Sequence, residues 1–341
     1  MLYSPGRMNL LLRLYSFASR LVSGLKNLLY DRGIRKPEIA PLPVISIGNI
    51  GLGGTGKTPL AIEVIAWLAA RGRRPALVSR GYRGRWEKKG GMISDGTRIT
   101  GTWRDGGDEP FMAAVALPGA GVFVGKNRLA SSVRARQMGF DVAVLDDGFQ
   151  HRRIGRDLDI VLYSPSKRAA LRESIAGLRR AGIILVEKAE LGEGGNIGFP
   201  SGSAAPLTYE VEARGFHLAG AKDFIRVEDL RGRPVIAFFG IARPDRFLRL
   251  LGSQGIKPVS FLAFPDHHAY PRASIEKILR AARAARAAGA VTTAKDAVKL
   301  ANGSALFADF PVYVLEIRLA IDPRFFGRLE TALRAFPQVN A

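Results

Sequence analysis

The chain has no cysteine in 341 residues, which excludes disulfides, thiolate metal sites, iron–sulfur clusters and cysteine nucleophiles, and fits a reducing cytosol. Long apolar runs are missing too. None reaches the ~20 uninterrupted residues of a spanning helix. The stretch 10–29 is broken by Arg13, Arg20 and Lys26 and lacks the cleavage site of a signal peptide. Acids are scarce: 30 Asp and Glu stand against 51 Lys and Arg, 38 of them Arg, for a net charge of +21. Such an excess favours anionic partners, and nucleic acid, an anionic membrane and a phosphorylated small molecule would each satisfy it. The three Trp and eight Tyr do not cluster with basic residues, and no helix-turn-helix or RNP pattern is visible, so nucleic acid is not an expected partner. What is present is a globular balance, 47% hydrophobic and 24% charged. At this length about two domains are expected.

The N-terminal stretch has helical periodicity. Leu10, Leu14, Phe17, Leu21, Leu25 and Leu28 fall on one side, and Arg13, Ser16, Arg20, Ser23 and Asn27 on another. Residues 1–36 carry seven bases and one acid. An amphipathic cationic helix can lie in the headgroup plane of an anionic bilayer or pack on its own domain, and the pattern permits both. From residue 43 the chain reads strand, Gly-rich loop, helix, strand, with strands at 44–47 and 76–79 and further ones at 121–124, 142–145, 159–162 and 183–186. This predicts an α/β fold, a P-loop NTPase-like, mostly parallel sheet with helices on both faces. A Gly, Ser and Pro-rich stretch at 189–206 precedes a second α/β pattern with strands at 235–239, 259–264 and 290–293. Two longer runs, 207–218 and 312–321, bracket it and could pair as a connector. The expected organisation is an amphipathic segment 1–36, a P-loop core 37–206, connector strands 207–218 and 311–321, a smaller α/β lobe 219–310 and a C-terminal helix 322–341.

The strongest local signal is Gly51-Leu52-Gly53-Gly54-Thr55-Gly56-Lys57-Thr58, a full match to G-x-x-x-x-G-K-[ST] between a strand and a helix. The loop's amides face phosphates, Lys57 reaches the β/γ oxygens and Thr58 offers a hydroxyl to Mg²⁺. Such a site needs a carboxylate at a neighbouring strand end, and Val142-Ala143-Val144-Leu145-Asp146-Asp147 supplies two. Their mutual repulsion calls for a cation. The Asn-Lys-x-Asp signature of guanine readers is absent, since Thr293-Ala294-Lys295-Asp296 has its lysine in another place, so ATP is the expected nucleotide. A kinase also needs a base for its acceptor. Gly107-Asp108-Glu109-Pro110 and Phe264-Pro265-Asp266-His267-His268-Ala269-Tyr270 are the two candidate sources.

Taken in order, these segments resemble the tetraacyldisaccharide 4'-kinase family, the lipid A 4'-kinases. The resemblance spans roughly residues 10–321. It includes Ser46-Ile47-Gly48-Asn49-Ile50 before the P-loop, Ser79-Arg80-Gly81-Tyr82, Asp146-Asp147-Gly148-Phe149-Gln150-His151 and Leu171-Arg172-Glu173. One departure is Ala294, where the family commonly has Glu. The resemblance implies transfer of the ATP γ-phosphoryl group to the 4'-hydroxyl of an acylated glucosamine disaccharide 1-phosphate. Asp108 would be the base with His267 as its partner, and Arg128 the cation near the transferring phosphates. Asp146, Asp147, Thr58 and Glu109 would handle Mg²⁺. Arg80, Arg172, Glu173, Asn49, Gln150 and His151 would belong to the sugar-phosphate side. A monomer held peripherally on the cytoplasmic face of the inner membrane follows, with lobe closure bringing Asp108 to His267. A P-loop kinase of a soluble substrate and a nucleic-acid-binding ATPase remain the alternatives.

Overall fold

A computed structural model of the chain describes residues 5–51, 55–165, 171–191, 198–221, 223–300, 306–307 and 309–336, with side chains from Ser16 onward. Helix α1 (Pro5–Asp31) precedes β1 (Val44–Asn49), α2 (Lys57–Ala69) and β2 (Pro75–Ser79). Then come β3 (Gly91–Asp95), α3 (Trp103–Gly106), α4 (Asp108–Ala116), β4 (Gly121–Val124), α5 (Arg128–Gln137), β5 (Val142–Asp146), β6 (Leu158–Tyr163) and β7 (Ile183–Glu187). The long β8 (Leu207–Leu218) and short β9 (Phe224–Ile225) lead into β10 (Val235–Phe239), α6 (Pro244–Ser253), β11 (Ser260–Ala263), α7 (Arg272–Ala284) and β12 (Gly289–Thr293). Helix α8 (Ala294–Ala297), β13 (Val312–Ile321) and α9 (Arg324–Arg334) complete the described chain.

Among the described residues the strands form one 13-stranded sheet in the order β11-β10-β12-β13-β8-β7-β6-β1-β5-β2-β4-β3, with β9 on β8. Pairing is parallel except at β3–β4, β8–β9 and β8–β13. Central strands read as unbroken apolar runs because both faces are covered. Ile45 and Ile47 face α2, whereas Val44, just before them, faces the layer that contains Ala135 of α5. Helix α9 inserts Phe325 and Leu329 beside α2, and Phe326 stacks on Trp67. Each such buried side chain contributes roughly 1.5–3 kcal/mol.

β8 and β13 run antiparallel from the Tyr209–Ile321 pair to the Leu218–Tyr313 pair, with a register shift at Glu316/Ile317. Leu319 at one end of this ribbon joins the α2 core, while Tyr313 and Leu315 at the other join Phe239, Phe247 and Leu251. The ribbon therefore contributes to the core beneath α2 and to the core of the second lobe.

Helix α1 docks by its polar side. Ser16 Oγ donates to the Leu171 carbonyl (2.6 Å), Lys26 Nζ to the Gln150 carbonyl (2.8 Å), and Asn27 Nδ2 to Glu173 (2.7 Å). Arg152 pairs with Asp31 at 2.7 Å. The apolar stripe points away from the protein, leaving Phe17, Leu21, Val22 and Leu25 62–68% exposed. Leu10, Arg13 and Leu14 lie outside the described side chains. Among the described residues, no helix is long and apolar enough to cross a membrane.

Candidate active site

The nucleotide loop leaves β1 at Asn49 and enters α2 at Lys57. Leu52, Gly53 and Gly54 lie outside the described residues; Gly51, Thr55 and Gly56 flank them. Gly56 takes φ 89°, a left-handed conformation that aims the next amides along the α2 axis and that a side chain would strain. Asn49 Nδ2 donates to Thr55 Oγ1 (3.0 Å) and Lys57 Nζ donates to Asn49 Oδ1 (3.2 Å). From the sheet side, Tyr209 Oη donates to the Thr55 carbonyl at 2.8 Å.

β5 neighbours β1 and delivers Asp146 beside Ile47. Thr58 Oγ1 donates to Asp146 Oδ2 at 3.0 Å, while Asp146 Oδ1 is buried without a hydrogen-bond partner. Burial, Glu109 and Asp147 together push the Asp146 carboxyl up to about 7. Asp147, at φ 52° and with 41% of its side chain exposed, goes the other way. Burial opposes its ionisation, but Lys57 at 3.4 Å and a two-pronged contact from Arg172 (2.8 and 3.1 Å) hold it well below the usual carboxylate range. Arg172 also reaches Asn49 Oδ1. The orphaned Asp146 oxygen beside the Thr58 hydroxyl, with Asp147 next in the chain, suits a hard divalent cation such as Mg²⁺, while among the described residues no three acidic or imidazole side chains already converge on one point.

Arg128 opens α5 and is buried, with Nη1 donating to the Gly125 carbonyl at 3.2 Å. Burial lowers its pKa, and Asp147 and Asp146 oppose that shift.

The two candidate base segments meet. Gly107 at φ 90° precedes α4, and a Cβ there would come within 2.8 Å of the Tyr82 carbonyl; this close approach seats Asp108 at the helix start. His267 Nδ1 lies 3.0 and 2.9 Å from the two Asp108 oxygens, with Tyr82 edge-on to the imidazole. The expected meeting of Asp108 and His267 is thus present in this arrangement of the lobes. Burial works against the Asp108 charge, yet His267, Lys295 and Lys299 outweigh it and draw the carboxyl down to about 2. Because the carboxylate is ionised, the His267 Nδ1 must carry the proton. Lys299 is buried 3.6 Å from Asp108 and 2.9 Å from Asp296, whose other oxygen accepts from the Gly240 amide. Lys295 spans Glu109 (3.0 Å) and Asp266 (3.1 Å), joining α4 to the loop after β11.

The remaining sequence candidates divide in two. Asn49 and Arg172 lie in the Lys57–Asp147 cluster. Arg80 is exposed and pairs with Glu87 at 2.7 Å. Glu173 is buried and held by Asn27, Gln150 and Arg180, and Gln150 also donates to the Asn49 carbonyl (2.8 Å). These two residues connect α1 to the nucleotide loop. His151 is half-buried, and burial together with Arg128, Lys26 and Arg156 lowers it to about 4. Sequence reasoning passed over Lys299 and Tyr209. Lys299 follows Lys295 at helical spacing, a signal that could have found it; Tyr209 looked like an ordinary strand residue.

The family model described as tetraacyldisaccharide-1-P 4'-kinase matches residues 8–334. A tetraacyldisaccharide 4'-kinase of Syntrophus aciditrophicus is 37% identical over 92% of this chain and 90% of its own. Its counterpart in Geobacter metallireducens is 36% identical over 95% and 96%. A crystal structure described as the "apo" form of LpxK from Aquifex aeolicus in complex with ATP superposes with a TM-score of 0.76 at 26% identity, covering 96% of this chain and 98% of that one. With the family model matched over residues 8–334 and relatives this similar along nearly the whole length, the chain belongs to the tetraacyldisaccharide-1-P 4'-kinase family.

Proposed function

We propose that this protein transfers the γ-phosphoryl group of ATP to the 4'-hydroxyl of an acylated glucosamine disaccharide 1-phosphate. The observation that carries the reading is the Asp108–His267 contact at 2.9 Å, an acceptor base assembled from two lobes beside a P-loop.

Lys57 and the amides of residues 51–58 hold the triphosphate, and Arg128 approaches the transferring group. Asp108, with a pKa near 2, is a weak base. Its task is to accept the hydroxyl hydrogen bond and aim the acceptor oxygen, taking the proton only as the phosphoryl group arrives, in keeping with a loose transition state. His267 fixes the carboxylate through Nδ1. Asp146, Thr58 and Glu109 would hold Mg²⁺, with Asp147 beside them; when bound, the ion neutralises charge on the β- and γ-phosphates. Arg172 and Asn49 keep Lys57 and Asp147 in register, and Arg80, paired with Glu87, is assigned to the acceptor by the family resemblance.

The outward apolar stripe of α1 supports peripheral attachment to the cytoplasmic face of the inner membrane, where ATP and an acylated acceptor meet. Incubation with γ-labelled ATP, Mg²⁺ and the acylated disaccharide 1-phosphate tests the reading. Label is expected in the lipid for the wild type and absent for Lys57→Ala; label released only as inorganic phosphate would refute it.

A further inference from the structure

Asp108 has a second contact from the lobe that supplies His267. Lys299 Nζ lies 3.6 Å from Asp108 Oδ2 and 2.9 Å from Asp296 Oδ1, and with its side chain only 1% exposed it is closed off from solvent and from an acceptor sugar. The ammonium also sits over the Tyr270 ring, 5.3 Å from its centre. Asp296 is held by its own lobe: Oδ2 accepts from the Gly240 amide (3.0 Å) and from the Thr293 hydroxyl (2.8 Å). The Gly240 carbonyl in turn accepts from the His267 amide at 3.3 Å. Gly240 therefore ties the counterion of Lys299 to the His267 loop, and the second lobe presents both groups to Asp108 as one unit.

An ion pair that served only the second lobe would be complete with Lys299 and Asp296. Instead one buried cation is shared by two buried carboxylates, one from each lobe. The sharing bears first on orientation. The Glu109 amide donates to Asp108 Oδ1 (3.0 Å), Lys299 faces Oδ2, and His267 Nδ1 spans both, so turning the carboxylate about its Cβ–Cγ bond would break contacts at each oxygen. It bears next on charge. As the acceptor oxygen bonds to the γ-phosphorus, the bond from that phosphorus to the β-phosphate oxygen breaks, ADP keeps the electron pair, and the hydroxyl proton passes to Asp108. Were Lys299 paired with Asp108 alone, this proton would strand a buried ammonium without a counterion, which is strongly disfavoured. Asp296 keeps a carboxylate beside Lys299 throughout the transfer.

We propose that Lys299 and Asp296 are positioning residues for phosphoryl transfer: Lys299 fixes the plane of the Asp108 carboxylate for the acceptor, and Asp296 keeps Lys299 neutralised when Asp108 takes the proton. The assignment rests on Asp108 serving as the base of the proposed kinase reaction. Neither residue touches the acceptor; both act through Asp108.

The test measures kcat and the KM values for ATP and acceptor in Asp296→Asn and in the double variant Lys299→Met/Asp296→Asn, each with Asp108 intact and with Asp108→Asn. The double variant removes both charges together and so leaves no buried ion unpaired. Asp296→Asn keeps an oxygen for the Gly240 amide and the Thr293 hydroxyl, which makes it the conservative second test. With Asp108 intact, kcat is expected to fall about 10- to 100-fold in both, with both KM values nearly unchanged. In the Asp108→Asn background the same substitutions should have little further effect, because no carboxylate is left to orient or to neutralise. Full kcat in either variant overturns the proposal. So does a loss of equal size in both backgrounds, since the pair would then serve only the folding of the second lobe. A wild type that transfers no phosphate to the acceptor refutes the kinase reading itself, a result distinct from transfer that is indifferent to Lys299 and Asp296.

Discussion

Asp146 and Asp147 are adjacent in the chain and are driven in opposite directions. Asp147 is held by two cations, whereas Asp146 is buried against acids and takes up a proton at about pH 7 instead of 3.8. The folded protein thus binds a proton over a range in which the unfolded chain has released it. The stability from this group is full below about pH 4 and is lost as pH rises through 7. Mg²⁺ would relieve that loss. The melting temperature of the protein should therefore rise more on adding Mg²⁺ at about pH 8 than at about pH 6, and Asp146→Asn should raise the metal-free value at the higher pH while removing the Mg²⁺ response. Equal responses at both pH values would contradict this placement of the ion. Asp108 has the opposite sign: its carboxyl falls from 3.8 to about 2, so its contribution is present above about pH 4 and is lost as pH drops toward 2. As the aiming group for the acceptor, Asp108→Asn should lower kcat by about 10²–10⁴ and leave KM for ATP nearly unchanged, read from steady-state rates.

At the scale of elements, α1 inverts the usual arrangement of an amphipathic helix. Its polar side is committed to Leu171, Gln150 and Glu173, and its apolar side faces outward. Replacing Leu21 and Leu25 together by Gln should weaken binding to anionic vesicles by about tenfold per residue, while the melting temperature stays nearly constant because neither side chain packs on the protein. A large fall in melting temperature would place the stripe inside the fold instead. The stripe was legible from spacing alone, but its direction was not. That depends on hydrogen bonds to residues more than 120 positions away, such as Ser16 to Leu171. The parallel strands were legible for a similar reason: runs such as Val142-Ala143-Val144-Leu145 must be covered on both faces. β3 was not, because Gly91-Met92-Ile93-Ser94-Asp95 is short and half polar and joins the sheet only as an antiparallel edge on β4. Within the site, the P-loop and the acid pair announce themselves locally, whereas Lys299 acquires meaning only once α8 is packed beside α4.

For the whole molecule, one sheet runs through both lobes, and the β8–β13 ribbon packs into the core beneath α2 and into that of the second lobe. Tyr209 belongs to that ribbon and donates to the Thr55 carbonyl, so the geometry of the nucleotide loop is tied to the position of the second lobe. Arg243 and Arg246 of the second lobe close the same seam by pairing with Glu187 at the end of β7. Tyr209→Phe should raise KM for ATP by about fivefold with a smaller change in kcat, the effect of one lost hydrogen bond in a buried setting. An unchanged KM would uncouple the ribbon from the loop. The central claim is direct delivery of phosphate from the P-loop to a sugar hydroxyl aimed by Asp108. Phosphorus–proton correlation NMR of the reaction product tests it most directly. The account predicts a new phosphomonoester coupled to the proton on the 4' carbon, formed by the wild type and lost in Asp108→Asn. A phosphate at any other position, or equal product from both proteins, would contradict it.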